Sequence, residues 1–159
     1  MERRLGLALA VAVLLLDRLS KWALIDELAD LGIVKVTPFF NLVMVWNRGI
    51  SFGFLQSGHD WAPYLLAALA LAVALVLAVW LWRSRRRLTA AALGLVIGGA
   101  LGNVVDRLLW QAVADFFDFH LMGYHWPAFN IADAAIVAGV AGLLMDGLFE
   151  RREADKQGT

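Results

Sequence analysis

The 159-residue sequence contains no cysteine, which excludes disulfides and thiolate metal sites. Histidine is scarce, with His59, His120 and His125 the only three. His120 and His125 are too isolated a pair for a metal centre and are expected at a membrane interface, so no metal or cofactor is expected. Charged residues make up only 18% of the chain against 61% hydrophobic. The mean hydropathy is +0.69, too apolar for a soluble domain of this length. The formal net charge is zero and points to no partner. No internal repeat or low-complexity linker divides the chain, so residues 1–159 are read as a single domain.

What is plentiful is long apolar runs. Residues 62–82 and 88–105 carry no charge at all. As a helix the first spans about 31 Å, the thickness of a bilayer core. Two further runs are interrupted. Residues 5–16 are apolar, stop at Asp17 and resume with Leu19 and Trp22, while residues 131–149 are apolar apart from Asp133 and Asp146. The basic start "MERRLGLALAVAVLLL" also suits a cleavable secretory signal, but the charged and bulky "DRLSKWALI" follows it where small residues would be needed. The expected architecture is an all-α membrane protein of four transmembrane helices, over about 5–25, 62–82, 88–110 and 130–149. A small extracytoplasmic β-sheet is expected between helices one and two, over about 33–56. There "IVKV" alternates, Thr37-Pro38 breaks the run, "FFNLVMVW" is rich in β-formers and "NRG" turns. Phe39, Phe40, Trp46, Phe52 and Phe54 are expected at the interface. The final residues, "EADKQGT", carry no structural signal.

Arg3 and Arg4, the "RSRRR" link between helices two and three, and Arg151, Arg152 and Lys156 hold nine of the 14 basic residues. All lie on one side of a four-crossing chain, which puts both termini in the cytoplasm. Topology explains the basic link, so no nucleic-acid partner is expected. Segments 26–61 and 108–128 then face the opposite side.

Charges within apolar helices need pairing or water. Asp17 and Lys21, four apart on one helix face, are expected to pair near the outer end of helix one. Gly94, Gly98 and Gly102 recur every fourth residue and invite close approach of another helix. Asn103, Asp106 and Arg107 end the same helix, and Arg107 has the donors to hold a carboxylate or a peptide carbonyl. Asp115 follows that helix, and Asp133 opens helix four, three residues after Asn130. The topology puts both carboxylates at the same face, where they can meet. Asp118 lies further along the loop with no helix to place it, and Asp146 is at the other end. Two carboxylates in a partly dehydrated pocket share a proton, so one activates water while the other donates a proton. A position at a helix N-terminus favours ionised Asp133 as the base. Spacing alone leaves three readings open: a protease, an ion or proton conductor relaying through Asp17, Asp106 and Asp133, and a packing role built on the glycine face.

Five blocks occur in a familiar order: "DRLSK" (17–21), "NRGISFG" (47–53), "GGALGNVVDR" (98–107), "VADF" (113–116) and "PAFNIAD" (127–133). By these the chain resembles the lipoprotein signal peptidases, the signal peptidase II family, over nearly its whole length. The resemblance implies an intramembrane aspartic endopeptidase of the bacterial cytoplasmic (inner) membrane. Such an enzyme cleaves the signal peptide from prolipoproteins immediately before a diacylglyceryl-modified cysteine. It implies Asp115 and Asp133 as catalytic dyad, with Asn103, Arg107 and Asn130 surrounding and holding it. Asn47 and Gly49 match the outer segment bordering the substrate; Asp17 and Lys21 match the helix-one motif, with Asp106 as further support. Partners are lipidated prolipoproteins and membrane lipids, no cofactor is implied, and a monomer is the expected state. Arg18, where Gln is common, and Ile50-Ser51, where Ala-Ala is common, depart from the family pattern.

Overall fold

The structure, a computed structural model, describes residues 1–49 and 61–157, with side chains as far as Phe149. Ile50-Ser51, Phe52, Phe54, His59 and the last part of the expected outer β-segment lie outside the described residues. Among the described residues there are four long helices: α1 (Glu2–Leu31), α2 (Ala62–Arg83), α3 (Arg87–Trp110) and α4 (Ile131–Gln157). Between them run β1 (Val34–Thr37), β2 (Phe40–Asn47), β3 (Val113–Leu121) and β4 (Tyr124–His125). Three of the helices, α2, α3 and residues 131–149 of α4, are long and apolar enough to cross a membrane.

The helix α3 is the axis of the molecule. It packs against α1, α2 and α4, and 72% of its apolar window is buried, against 17% and 22% for α2 and α4. Its small residues are what permit this. A Cβ on Gly98 would stand 2.5 Å from the carbonyl oxygen of Ala10 on α1, and one on Gly102 would stand 2.7 Å from the Asp17 carboxylate. Gly94 meets the backbone of Gly6 on α1, whereas Gly99, on another side of α3, meets Ala132 of α4. Helices thus approach α3 to backbone contact, the packing mode that replaces the hydrophobic effect in a bilayer. Leu81, Ala90, Leu93 and Ile97 fill the core between α2 and α3. Gly98→Ala, which forces a methyl against a backbone atom, is expected to destabilise the fold by about 1–3 kcal/mol. Thermal unfolding in detergent reads this as a lowered midpoint, and an unchanged midpoint would show that α1 can move away freely.

Three expectations need correction. First, α1 runs from residue 2 to residue 31 rather than 5 to 25, about 45 Å of helix. Asp17 and Lys21 therefore sit mid-helix and not near its outer end. They also interrupt its hydropathy, which is why α1 is absent from the three apolar spans. Second, the sheet does not belong to the 26–61 segment alone. Among the described residues it has four antiparallel strands in the order β1-β2-β3-β4, and two of these come from the connection between α3 and α4. Asp115 and Asp118 are strand residues paired with Val45 and Asn41, not loop residues. Third, the α4 backbone stays helical to Gln157, through most of the tail expected to lack structure.

Helix α3 stops at Gln111, whose left-handed backbone (φ 56°) turns the chain into β3. The first four residues of β3, Val113 to Phe116, are all buried. Met122 and Gly123, both at positive φ, form the two-residue turn into β4, a backbone twist that suits tight hairpins. Phe129 then pairs back onto β3: its carbonyl accepts the Phe117 N–H at 2.9 Å, and its N–H donates to the Phe117 carbonyl at 3.2 Å. Phe40, Phe117, Phe119 and Phe129 cluster, with neighbouring centroids 4.7–5.9 Å apart in tilted, edge-on and, for Phe119 and Phe129, stacked arrangements. This pairing delivers the start of α4 to the middle of β3.

Candidate active site

Asn130 is the N-cap of α4. Its side-chain oxygen accepts the Asp133 N–H at 2.9 Å, and the Asp133 carboxylate reaches back to the Asn130 N–H at 3.4 Å. That reciprocal pair is a capping box, with Asp in the place more often taken by Glu. The amide end of the same Asn130 side chain points the other way. Its Nδ2 donates to Asp115 Oδ1 at 2.7 Å, to Asn103 Oδ1 at 3.2 Å and to the Ala114 carbonyl at 3.3 Å. Asn103 Nδ2 in turn donates to Asp133 Oδ1 at 2.7 Å. One fully buried asparagine thereby fastens Asp115 on β3 to the first turn of α4, and a second braces Asp133 from α3.

The remaining oxygen of Asp115 is held from β2, where Asn47 Nδ2 donates at 3.2 Å. Gly49 N–H donates to Asn47 Oδ1 at 3.3 Å and sets the orientation of that amide. Asn47, matched above to a substrate border, therefore reaches the carboxylate itself, and Gly49 acts on it only through Asn47. Asp115 is 1% exposed. Burial, and next the negative charge of Asp133, push its carboxyl up to about 7, outweighing the Asn47 and Asn130 hydrogen bonds. Arg107 is half-buried, and its Nη1 donates to the Asn103 carbonyl one turn back at 3.2 Å. It holds no carboxylate by direct contact among the described interactions, while its charge acts on Asp133, Asp106 and Asp115.

Beneath the pair lies a second polar layer. Asp17, Lys21 and Asp106 are completely buried. Lys21 Nζ bridges the two carboxylates, 2.8 Å from Asp17 Oδ2 and 2.6 Å from Asp106 Oδ2. Each carboxylate also accepts one backbone N–H. Asp106 takes that of Ala114 and Asp17 that of Ala132, each at 3.1 Å. Ala114 and Ala132 immediately precede Asp115 and Asp133. The conduction reading finds no support in this arrangement, because Asp17 and Asp106 are engaged by Lys21 and by backbone donors. Sequence reasoning marked Arg18 only as a departure from the family pattern and gave it no role; it also reaches Asp106.

The other polar residues stay apart. Asp118 accepts from Asn41 Nδ2 at 2.9 Å and lies 2.7 Å from His125 Nδ1, and the His120 and His125 rings stack at 4.9 Å. Asp146 pairs with Arg86 at 3.0 Å and with the Thr89 hydroxyl.

Residues 9–149 match the profile of signal peptidase (SPase) II. The chain belongs to the signal peptidase II family. Among its relatives is a lipoprotein signal peptidase of Burkholderia thailandensis, 43% identical over 149 residues, covering 93% of this chain and 90% of that protein. Another, from Burkholderia vietnamiensis, is 46% identical over 143 residues, covering 89% and 86%. A solved structure described as a bacterial membrane enzyme, obtained by the in meso method at 1.9 Å resolution, superposes with a TM-score of 0.78. It shares 27% identity and covers 90% of this chain and 92% of its own. Membership makes the protein a peptidase with membrane-spanning helices.

Proposed function

We propose that this signal peptidase II cleaves prolipoproteins immediately before their diacylglyceryl-modified cysteine, with Asp115 and Asp133 activating one water. The observation that carries the reading is Asn130, whose single side chain joins both carboxyl-bearing elements, with the charge of Asp133 acting on Asp115. Asp133, in the first turn of α4 and held by Asn103 and Asn130, serves as the base. Asp115, with its raised affinity for a proton, serves as the acid. Asp133 takes a proton from water as the water oxygen bonds to the scissile carbonyl carbon, and Asp115 gives its proton to the carbonyl oxygen. The resulting gem-diol collapses: the C–N bond breaks, Asp133 passes its proton to the leaving nitrogen, and a gem-diol hydroxyl returns a proton to Asp115. Both carboxyls end as they began, and no covalent enzyme intermediate is needed.

The position of these groups supports the substrate class. The pair sits at the junction of apolar helices and a sheet whose rim exposes Phe39, Trp46, Leu121, Tyr124 and Trp126. That setting suits a precursor held by acyl chains in the bilayer with its peptide at the interface. Counting α1 as a fourth span is supported by its division into faces. Leu7, Val11, Leu15, Leu16 and Leu19 are exposed, while Asp17 and Lys21 turn inward and are fully covered. Four crossings put both basic termini and the "RSRRR" link in the cytoplasm and the site on the opposite face of the inner membrane. The chain then works as a single-domain monomer among membrane lipids, without metal or cofactor.

Purified protein incubated with a diacylglyceryl-modified precursor is expected to release a peptide ending at the residue before the modified cysteine, as read by mass spectrometry. The unmodified precursor is expected to remain intact. Equal cleavage of both, or cleavage at another bond, rejects the substrate assignment. Because the acid form of Asp115 is required, the rate is expected to fall above a pH of about 7. The fall approaches tenfold per pH unit beyond that limb. A rate still rising at alkaline pH rejects Asp115 as the acid.

A further inference from the structure

Arg18 follows Asp17 on α1, and its Nη2 meets Asp106 Oδ1 and lies 3.6 Å from Asp17 Oδ2. Its guanidinium carbon stands 5.2 Å above the Trp110 ring, near the end of α3. The Arg18 side chain is 24% exposed, while Asp17, Lys21 and Asp106 are sealed from solvent. Two carboxylates and two cations make a cluster of zero formal charge. Without Arg18 the same buried cluster carries one uncompensated negative charge, one peptide unit from Asp115 through the Ala114 N–H. Buried charges at such separations are little screened by salt.

We propose that Arg18 is a positioning residue that balances this buried cluster and thereby sets the pH range over which the Asp115/Asp133 pair holds a single proton. The inference rests on the two-aspartate reading above. The charged groups acting on Asp115 are Lys21 from α1, Arg107 from α3 and Asp133 from α4, with Asp106 of α3 holding the N–H of the preceding Ala114, while β2 presents the neutral Asn47. The field of Lys21 already acts on Asp115 and favours its ionised form. Arg18 neutralises the second carboxylate of the cluster, so that the Lys21 charge is not cancelled by Asp17 and Asp106 together. A purely mechanical tether would hold Ala114 and Ala132 in place at any net charge. The charge sum is what distinguishes the two roles.

The test is the pH–rate profile for cleavage of a diacylglyceryl-modified precursor by full-length purified variants. Arg18→Gln leaves the cluster at one negative charge and is expected to move the alkaline limb upward by about half a pH unit. Asp106→Asn leaves it at one positive charge and is expected to move the limb downward by a similar amount. The double variant restores neutrality and the original limb, and Arg18→Lys keeps the limb in place. Rates that fall in Arg18→Gln and Asp106→Asn while both limbs stay where they were overturn the proposal and leave Arg18 a packing residue. If Arg18→Gln does not fold, the direction of the Asp106→Asn limb decides alone, and an unmoved limb overturns the proposal. Asp115→Asn and Asp133→Asn run in the same assay judge the dyad separately, since a rate there within about tenfold of the parent rejects the two-aspartate reading whatever Arg18 does.

Discussion

Asp115→Asn and Asp133→Asn are each expected to lower the cleavage rate of a lipidated precursor by about 10⁴-fold while leaving the protein folded. Both changes keep the shape of the side chain and remove only its acid–base capacity. At position 133 the amide keeps one acceptor, for the Asn103 amide or for the Asn130 N–H, while the Asn130 side-chain oxygen still caps the position-133 N–H. At position 115 the amide keeps one acceptor for Asn130 or Asn47, and burial no longer opposes a charge there. The fold should therefore tolerate both, with unfolding midpoints close to that of the parent protein. Initial rates in detergent, set beside thermal unfolding of the same samples, separate lost chemistry from lost structure. Either variant retaining a tenth of the parent rate would show that its carboxyl is not part of the reaction.

Lys21→Met is expected to act on the fold instead. The ammonium is the shared partner of Asp17 and Asp106, both completely buried. Removing it leaves Arg18 as the one cation beside two buried carboxylates. Breaking a buried ion pair from one side destabilises by about 3–5 kcal/mol, because the remaining charge has lost both water and partner. The loss propagates to the site, since those carboxylates hold the N–H groups of Ala114 and Ala132, the residues just before the dyad. Poor accumulation in membranes and a lowered unfolding midpoint are the expected readouts. Lys21→Met combined with Asp17→Asn should recover part of the stability, because it removes one of the stranded charges. No recovery would mean that lost packing of the lysine stem, and not charge, explains the defect.

The legible part of the fold was whatever depends on neighbours along the chain. Residues 62–82 read as a span because an uninterrupted apolar run has few other uses, and the helix there covers 62–83. Gly94, Gly98 and Gly102 read as a contact face because a four-residue period stays on one side of a helix, and α1 lies against it. Asn130 and Asp133 read as a helix start because a cap is local chemistry. By contrast, "VADFFDF" carries the buried centre of a strand that looked like a loop. Its pairing partners, Val45 and Asn41, belong to another part of the chain, and strand pairing is decided by those partners. Asp17 and Lys21 were legible as a pair, but their depth was not, because the end of α1 is set beyond the apolar run at Gly32, where the backbone turns left-handed (φ 70°).

By itself, then, the sequence determined a cysteine-free chain of apolar helices, its charge asymmetry, its family blocks, and an aspartate at the start of the last helix. The tertiary structure alone decided which polar groups meet. Ala132 N–H finds Asp17 across 115 residues of chain, Asn47 finds Asp115 across 68, and Arg18 finds Asp106 across 88. Helix formation follows from local hydrogen bonds and local hydropathy, so it is written in consecutive residues. A buried carboxylate must instead find its donors wherever the packing brings them, and here the close approach of α1 and α4 to the glycines of α3 does so.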